Sequence, residues 1–373
     1  FFKYCNFFLE NFIKAFSFFG SNISLGSLNI ILPVGISFYT FQTLSYTIDV
    51  YNKKLRPTKD IIAFSAYVSF FPQLVAGPIE RATNLLPQFS GKRIFDYSKS
   101  VDGLRQILWG FFKKIVIADT CAVYVNLIFN DYNSFSGFAL LFGAVLFAFQ
   151  IYGDFSGYSD IAIGTSRLFG LNLMQNFNFP YFSRDIAEFW RRWHISLSTW
   201  FRDYLYIPLG GSRGSILNQV RNVFIIFVIS GFWHGANWTF VAWGALNAFY
   251  FLPILLLNRN RINIGTVALN KKIPSFKEFS QIIITFILVV IAWIFFRSEN
   301  ISEALNFIIL MFSTLFYKIG YVQVLDLLYY KIGWELITAF ALFIFVEWVG
   351  RGSKYGLEKI LFNKKIRIFR ILF

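Results

Sequence analysis

The chain holds only two histidines, His194 and His234, and histidine is the side chain that exchanges a proton near neutral pH. Both lie in segments rich in Trp, Arg and Gly within an otherwise strongly apolar chain. A neutral imidazole can take the proton from an alcohol as the alcohol oxygen attacks an acyl group. Because ionisable groups inside a membrane are rare and costly, the two histidines predict chemistry at a single place.

The segment around His234 has the residue types of a cavity. Gly231 and Gly235 flank the imidazole and allow close approach. Trp233 provides a wall, and the amide of Asn237 is suited to orienting the ring or stabilising an oxyanion. The alternative is a core histidine bonded to a carbonyl of a neighbouring helix, with glycines that serve only tight helix packing.

The segment around His194, residues 188–204, is predicted to form one helix with a wide aromatic face that includes Trp193. On this interpretation His194 points inward, and Arg191 on the flank attracts an anionic cofactor or substrate. The alternative is an interfacial helix, in which Trp and Tyr form a belt and the arginines extend to the headgroups.

The elements that must position these residues are membrane helices. Hydrophobic residues make up 56% of the chain, aromatic residues make up 21%, and the mean hydropathy is +0.54. These values are too apolar for an ordinary soluble domain. We therefore predict an all-α, polytopic membrane protein. The candidate spans are residues 61–75, 104–125, 137–152, 222–233, 239–257, 281–296, 304–316 and 333–349.

Two apolar segments are interrupted by residues that a lipid-facing helix does not tolerate. Residues 32–42 contain a proline and a glycine, and residues 150–160 contain two glycines together with Asp154 and Asp160. We predict re-entrant or broken helices here, lining a tunnel enclosed by protein. Asp154 then orients a histidine or belongs to a proton path; alternatively, it caps a helix or pairs with an arginine. The candidate tunnel-lining residues are Asn237, Trp193, Trp233, Arg191 and Asp154.

The formal net charge of +15 comes from Lys and Arg in short loops between apolar stretches. This distribution indicates a membrane protein with its positive side in the cytoplasm and argues against nucleic-acid binding. The basic tail, about residues 351–373, is therefore predicted to be cytoplasmic. The cysteines match no metal or redox spacing, so no metal site is predicted. With no linker or repeat, residues 1–373 are predicted to form a single transmembrane domain.

Four long motifs carry a resemblance to a known family. They are FPQLVAGPIER at residues 71–81, DFSGYSDIAIG at 154–164, FWRRWHISLSTWFRDYLYIPLGG at 189–211 and GFWHGANWTFVAWG at 231–244. In these motifs the chain resembles the membrane-bound O-acyltransferase (MBOAT) family, within its bacterial branch of alginate and peptidoglycan O-acetyltransferase membrane subunits. The resemblance extends from about Leu32 to about Phe316 and covers most of the chain.

The resemblance implies a helical core around a tunnel, with His234 as the catalytic residue and His194 along the same tunnel. It implies transfer of an acetyl group from a cytoplasmic thioester, either acetyl-CoA or an acyl-phosphopantetheine carrier protein, to a hydroxyl of a cell-surface polysaccharide such as alginate or peptidoglycan. It further implies an extracytoplasmic acetyltransferase partner, a place in the bacterial inner membrane and no permanently bound cofactor. Since members of the branch carry further membrane segments before residues 32–42, we expect an N-terminally truncated chain.

A membrane transporter is the alternative function. It would carry an acyl group or a small solute, and the histidines would relay protons. The interrupted segments favour it, whereas the lack of an inverted repeat in the sequence argues against it. Thioester cleavage that depends on His234 would support the enzyme, and uptake into vesicles without cleavage would support the carrier.

Overall fold

The computed structural model describes residues 3–18, 33 and 35–359. Within these ranges the chain forms helices joined by turns, and none of the described residues lies in a β-strand. The predicted all-α class is therefore confirmed. The last part of the predicted basic tail, residues 360–373, lies outside the described residues, as do Leu32 and Val34 of the interrupted segment.

The helices of the described part follow one another with short connections. In chain order they are α1 (Cys5–Phe18), α2 (Ile36–Tyr51), α3 (Ile61–Val68), α4 (Ala82–Ser90), α5 (Tyr97–Phe111), α6 (Asp119–Asn130), α7 (Gly137–Leu168), α8 (Ile186–Arg192), α9 (Ile195–Phe201), α10 (Ile216–His234), α11 (Trp238–Leu256), α12 (Phe276–Arg297), α13 (Ile301–Ser313), α14 (Lys318–Asp326) and α15 (Gly333–Gly350). Short π-helical turns at Phe112–Ala118, Arg202–Tyr206 and Leu327–Ile332 extend α5, α9 and α14.

Of the described helices, α7, α10, α11 and α12 are each long and apolar enough to cross a membrane. A fifth span is possible only as a broken one, because α13 and α14 meet at an angle of 108°. The predicted span 61–75 is not a single helix, since α3 ends at Val68 and turns follow. Four predicted spans match the long helices to within one residue or lie inside them: 137–152, 222–233, 239–257 and 281–296.

The segment 150–160 is not broken, contrary to the prediction, and lies inside α7, a continuous helix of 32 residues. Its glycines bring α7 close to α5: an added Cβ at Gly157 would lie 2.8 Å from the carbonyl oxygen of Gly110. Asp160 is ion-paired with Lys113 at 2.6 Å. The residues that suggested a break therefore serve helix packing and charge pairing, and the helix stays intact. This removes one of the two features that favoured a transporter.

In the described part of the segment 32–42, the irregular backbone is confined to the residues before α2. Gly35 has a φ angle of +77° and immediately precedes the first residue of the helix, and Gln42 lies well inside it. An added Cβ at Gly35 would overlap the carbonyl oxygen of Leu74. Glycine is thus required here by both conformation and contact. In the described residues, the predicted interruption therefore coincides with the start of α2.

The helices α10 and α11 form an antiparallel hairpin joined by residues 235–237. They pack closely, because an added Cβ at Gly231 would overlap the carbonyl oxygen of Phe240. The end of α12 lies beside this hairpin turn, where the amide of Asn237 donates to the carbonyl of Glu299 at 2.7 Å. The end of α10, the start of α11 and the end of α12 therefore meet on one side, opposite the basic loop between α11 and α12.

Candidate active site

Both histidines line one cavity of about 470 Å³. Of the predicted tunnel residues, Trp193, Trp233 and Asp154 also lie on its wall. The two histidines therefore border a common space. The lining residues are Lys3, Ser37, Phe38, Val75, Ala76, Ile151, Asp154, Phe155, Tyr158, Trp193, His194, Trp233, His234, Trp293 and Phe296.

Residues 188–204 do not form the single predicted helix, because the backbone turns at His194. The helix α8 ends at Arg192, α9 begins at Ile195, and His194 between them has left-handed angles of φ +44° and ψ +54°. This conformation costs a non-glycine residue about 1–2 kcal/mol. The turn buries the imidazole to 2% exposure and packs it edge-on against the ring of Phe155, with centroids 4.6 Å apart.

The Nε2 atom of His194 is buried and has no hydrogen-bond partner among the described residues. A buried polar atom left without a partner costs about 1–3 kcal/mol. Because His194 also lines the cavity, this nitrogen is a candidate hydrogen-bond partner for a molecule that binds there.

Asn176 holds the turn at His194 in place from a neighbouring segment. Its side-chain oxygen accepts hydrogen bonds from the backbone N–H of Ser196 at 3.3 Å and from the hydroxyl of Ser196 at 2.9 Å. Its side-chain N–H donates to the hydroxyl of Ser159 at 3.2 Å, and its carbonyl accepts from the N–H of Ile195 at 2.9 Å. Sequence reasoning missed Asn176, because the contact joins segments that no motif connects.

The imidazole of His234 lies at the end of α10 among aromatic rings. The ring centroids of Trp243 and Phe296 are 5.3 and 5.2 Å from that of His234. The ammonium of Lys3 donates to the carbonyl of His234 at 3.2 Å and to that of Trp233. A cation is favourable at this position, because the last carbonyls carry the negative end of the helix dipole. Lys3 belongs to no recognisable motif, and sequence reasoning missed it too.

The glycines beside His234 serve helix packing, as the alternative interpretation of this motif held. An added Cβ at Gly231 would overlap the carbonyl oxygen of Phe240, and one at Gly235 would overlap the ring of the same residue. The glycines thus bring α10 and α11 together and do not open space for a ligand. The histidine between them still borders the cavity.

Arg191 and Asn237 were predicted to line the tunnel, but the structure places both outside the cavity wall. The guanidinium of Arg191 donates to the carbonyls of Asn260 at 2.7 Å and Asn263 at 2.8 Å, in the loop between α11 and α12. The side chain of Asn237 caps α11 by accepting from the N–H of Thr239 at 3.0 Å. Backbone groups satisfy both side chains, so neither is available to a ligand in the cavity.

Asp154 borders the cavity and also forms an ion pair. Its carboxylate lies 2.8 Å from the ammonium of Lys114, and its side chain is 56% exposed. The alternative interpretation expected an arginine as the partner, whereas the partner is a lysine. Asp154 belongs to the face of α7 that lines the cavity together with Ile151, Phe155 and Tyr158, which are three and four residues apart as one helix face requires.

Glu188 lies in α8, before the turn at His194, and anchors this helix. It is 1% exposed and forms ion pairs with Arg184 at 3.0 Å and with Arg192 at 2.9 Å. Both guanidinium groups also donate to the carbonyl of Gly265. Burial alone would lower the pKa of Arg184, but the carboxylates around it, above all Glu188, together outweigh burial and raise that pKa. Arg192, in the motif that contains His194, therefore helps to fix α8 to the loop between α11 and α12.

Comparisons with known proteins agree on one family. A family model described as "MBOAT, membrane-bound O-acyltransferase family" matches residues 52–296. The "Probable alginate O-acetylase AlgI" of Pseudomonas aeruginosa is 44% identical over 313 residues, which are 84% of this chain and 58% of that protein. The "Peptidoglycan O-acetyltransferase" of Helicobacter pylori is 38% identical over 332 residues, covering 82% of this chain and 60% of that protein. The "Teichoic acid D-alanyltransferase" of Bacillus subtilis is 29% identical over 234 residues, covering 59% and 58%. The chain thus spans less than two thirds of the length of these relatives.

Proposed function

Because the chain belongs to the membrane-bound O-acyltransferase family, we propose that it transfers an acetyl group from a thioester to a hydroxyl of a cell-surface polysaccharide, directly or through an extracytoplasmic partner. The observation that carries the proposal is that the two histidines of the chain border one cavity. The names of the relatives, an alginate O-acetylase and a peptidoglycan O-acetyltransferase, support an acetyl group and a glycan acceptor.

In the proposed mechanism His234 is the general base. Its imidazole takes the proton from the acceptor hydroxyl while the hydroxyl oxygen attacks the carbonyl carbon of the thioester. The carbon–sulfur bond then breaks, and the imidazolium returns the proton to the departing thiolate. The thioester is already activated, so this route needs no nucleophile from the protein.

His194 is proposed to bind one of the reacting oxygens through Nε2, which has no partner among the described residues. A hydrogen bond from a fixed group to an oxygen that gains charge lowers the barrier, because no reorganisation is needed when the charge forms. The hydrogen bonds of Asn176 keep the backbone of His194 in its left-handed conformation. The ring is therefore placed before the substrate arrives.

The donor is proposed to approach from the cytoplasm, as acetyl-CoA or as acetyl on a phosphopantetheine carrier protein. The acceptor is proposed to lie on the other side of the bacterial inner membrane, with an extracytoplasmic acetyltransferase partner that completes delivery. The excess of Lys and Arg in the loop between α11 and α12 supports a cytoplasmic position for that loop. Arg351 donates to the carbonyls of Val267 and Ala268 in the same loop, which supports a cytoplasmic C-terminus.

Thioester cleavage by the purified protein tests the proposal. In detergent with acetyl-CoA and a polysaccharide acceptor, His234→Ala is expected to abolish cleavage while the protein stays folded. The matched control is Asn237→Ala, which changes a side chain three residues away that lies outside the cavity wall. The control is expected to keep cleavage. Unchanged cleavage in His234→Ala would contradict the catalytic role, and uptake into vesicles without cleavage would favour the transporter.

A further inference from the structure

A second cavity of about 680 Å³ lies between α7, α12 and α15 and shares no lining residue with the histidine cavity. Its volume falls within the range of about 300–1,000 Å³ that is common for ligand sites. Its walls are almost entirely apolar and include Phe149, Ile283, Phe286 and Phe343. An occupant must therefore be apolar over most of its length.

Glu347 is the one residue with a charged side chain among the described residues that line this cavity. It is buried, and its carboxylate accepts hydrogen bonds from the hydroxyl of Tyr152 at 2.6 Å and from the indole N–H of Trp109 at 3.3 Å. The surrounding protein thus satisfies this group. The cavity does not present a free charge that would select a polar or cationic occupant.

The most exposed lining residues mark the mouth of the cavity. They are Ile273, at the end of the loop between α11 and α12, and Phe276, the first residue of α12, which are 76% and 87% exposed. The indole N–H of Trp348, on the cavity wall, donates to the carbonyl of Lys272 at 2.8 Å. This bond fixes the loop against the cavity wall. The exposed apolar side chains of Ile273 and Phe276 therefore form one edge of the mouth.

This edge carries uncompensated positive charge. Lys271, Lys272 and Lys277, here called the lysine edge, are exposed and form no ion pair with a carboxylate among the described residues. The neighbouring acid, Glu278, lies 3.5 Å from the guanidinium of Arg184. An apolar cavity therefore opens beside three free lysines on the side of the membrane where the basic loops lie.

We propose that this cavity binds an acyl chain of an anionic phospholipid, with the phosphate of the lipid against the lysine edge. The acyl chain of the lipid suits cavity walls that have no polar group left to satisfy. Clusters of Lys beside membrane helices attract anionic headgroups. A neutral lipid would leave the lysines uncompensated, and a soluble anion would leave the cavity unfilled. The two features together select an amphiphile with a negative head.

Native mass spectrometry of the full chain in detergent tests this site. The protein is titrated with palmitoyl-oleoyl phosphatidylglycerol or with the phosphatidylcholine of the same chains, and the wild type is expected to prefer phosphatidylglycerol. Replacing the three lysines of the edge by Ala should weaken phosphatidylglycerol binding about 100-fold at low salt, since each contributes about 1 kcal/mol and about 1.4 kcal/mol is tenfold. Phosphatidylcholine binding should not change.

Two further variants separate the headgroup from the chain. Replacing Lys53, Lys54 and Lys59, exposed lysines between α2 and α3, by Ala removes the same charge elsewhere and should leave both affinities unchanged. Ile283→Trp fills the cavity from α12 and should weaken both lipids alike. Any one of three results would overturn the proposal. They are wild-type affinity for phosphatidylglycerol in the lysine-edge variant, an equal loss of that affinity in the control variant, and undiminished lipid binding in Ile283→Trp.

Discussion

The replacement Asn176→Ala separates the support of His194 from the imidazole itself. It removes three side-chain hydrogen bonds, two from Ser196 and one to Ser159. At about 0.5–1.5 kcal/mol for each bond, the net loss is about 3 kcal/mol. The left-handed backbone of His194, which is unfavourable by about 1–2 kcal/mol, is then expected to relax and move the ring from the cavity. If the whole loss acts on the placement of the ring, thioester cleavage falls about 100-fold.

The assay is thioester cleavage at saturating donor, measured beside the unfolding temperature in detergent. Asn222→Ala is the matched control: Asn222 is also fully buried, and its amide donates to the carbonyls of Leu209 at 3.2 Å and Gly211 at 3.1 Å, away from the cavity. Both variants should unfold at lower temperature, but only Asn176→Ala should lose cleavage beyond that destabilisation. An equal loss of cleavage in the two variants, or full cleavage in Asn176→Ala, would refute the positioning role.

Two further predictions concern packing and buried charge. Gly231→Ala should lower the unfolding temperature, because the added Cβ would overlap a carbonyl oxygen of α11. Gly265→Ala is the control, since its Cβ would enter open space and should leave the unfolding temperature unchanged. Equal melting curves for the two variants would contradict the close contact. Lys113→Ala leaves the buried Asp160 with a hydrogen bond from Gln106 but without its cation, and should cost about 3–5 kcal/mol in the free energy of unfolding. Lys99 forms an exposed ion pair with Asp96 at 3.7 Å, so its removal should cost less than about 1 kcal/mol in the free energy of unfolding. Similar costs for the two lysines would contradict this prediction.

The four long membrane helices were predictable, because hydropathy is a local property of the sequence. The two histidines could be selected as candidates because their residue type is rare in this chain. The turn at His194 was not predictable. An aromatic pattern that repeats every three to four residues predicts one helix, but the turn depends on hydrogen bonds that Ser196 donates to Asn176, which belongs to another segment. No local pattern identifies such a partner.

The glycines of α7 also show that a local sequence pattern does not determine the structure by itself. Glycine and aspartate inside an apolar stretch suggested a break, yet Gly157 meets Gly110 and Asp160 meets Lys113 from the antiparallel neighbour. For a similar reason the sequence did not predict the partners of Arg191, because its guanidinium binds carbonyls of a distant loop and lies outside the cavity wall. Residue types indicate what a side chain can do, and tertiary partners decide which of these roles it takes.

The length of α7 has a consequence for the lipid environment. With 32 residues the helix is about 48 Å long, whereas the hydrocarbon layer is about 30 Å thick. Tilting or protrusion must absorb the difference. At its far end Arg167 is ion-paired with Asp102, which accepts a hydrogen bond from Tyr355 at 2.6 Å, a cluster suited to headgroup depth. Hydrophobic mismatch is therefore expected to reach the histidine cavity, since a thinner bilayer that increases the tilt of α7 would also reorient the wall that this helix forms beside the two histidines.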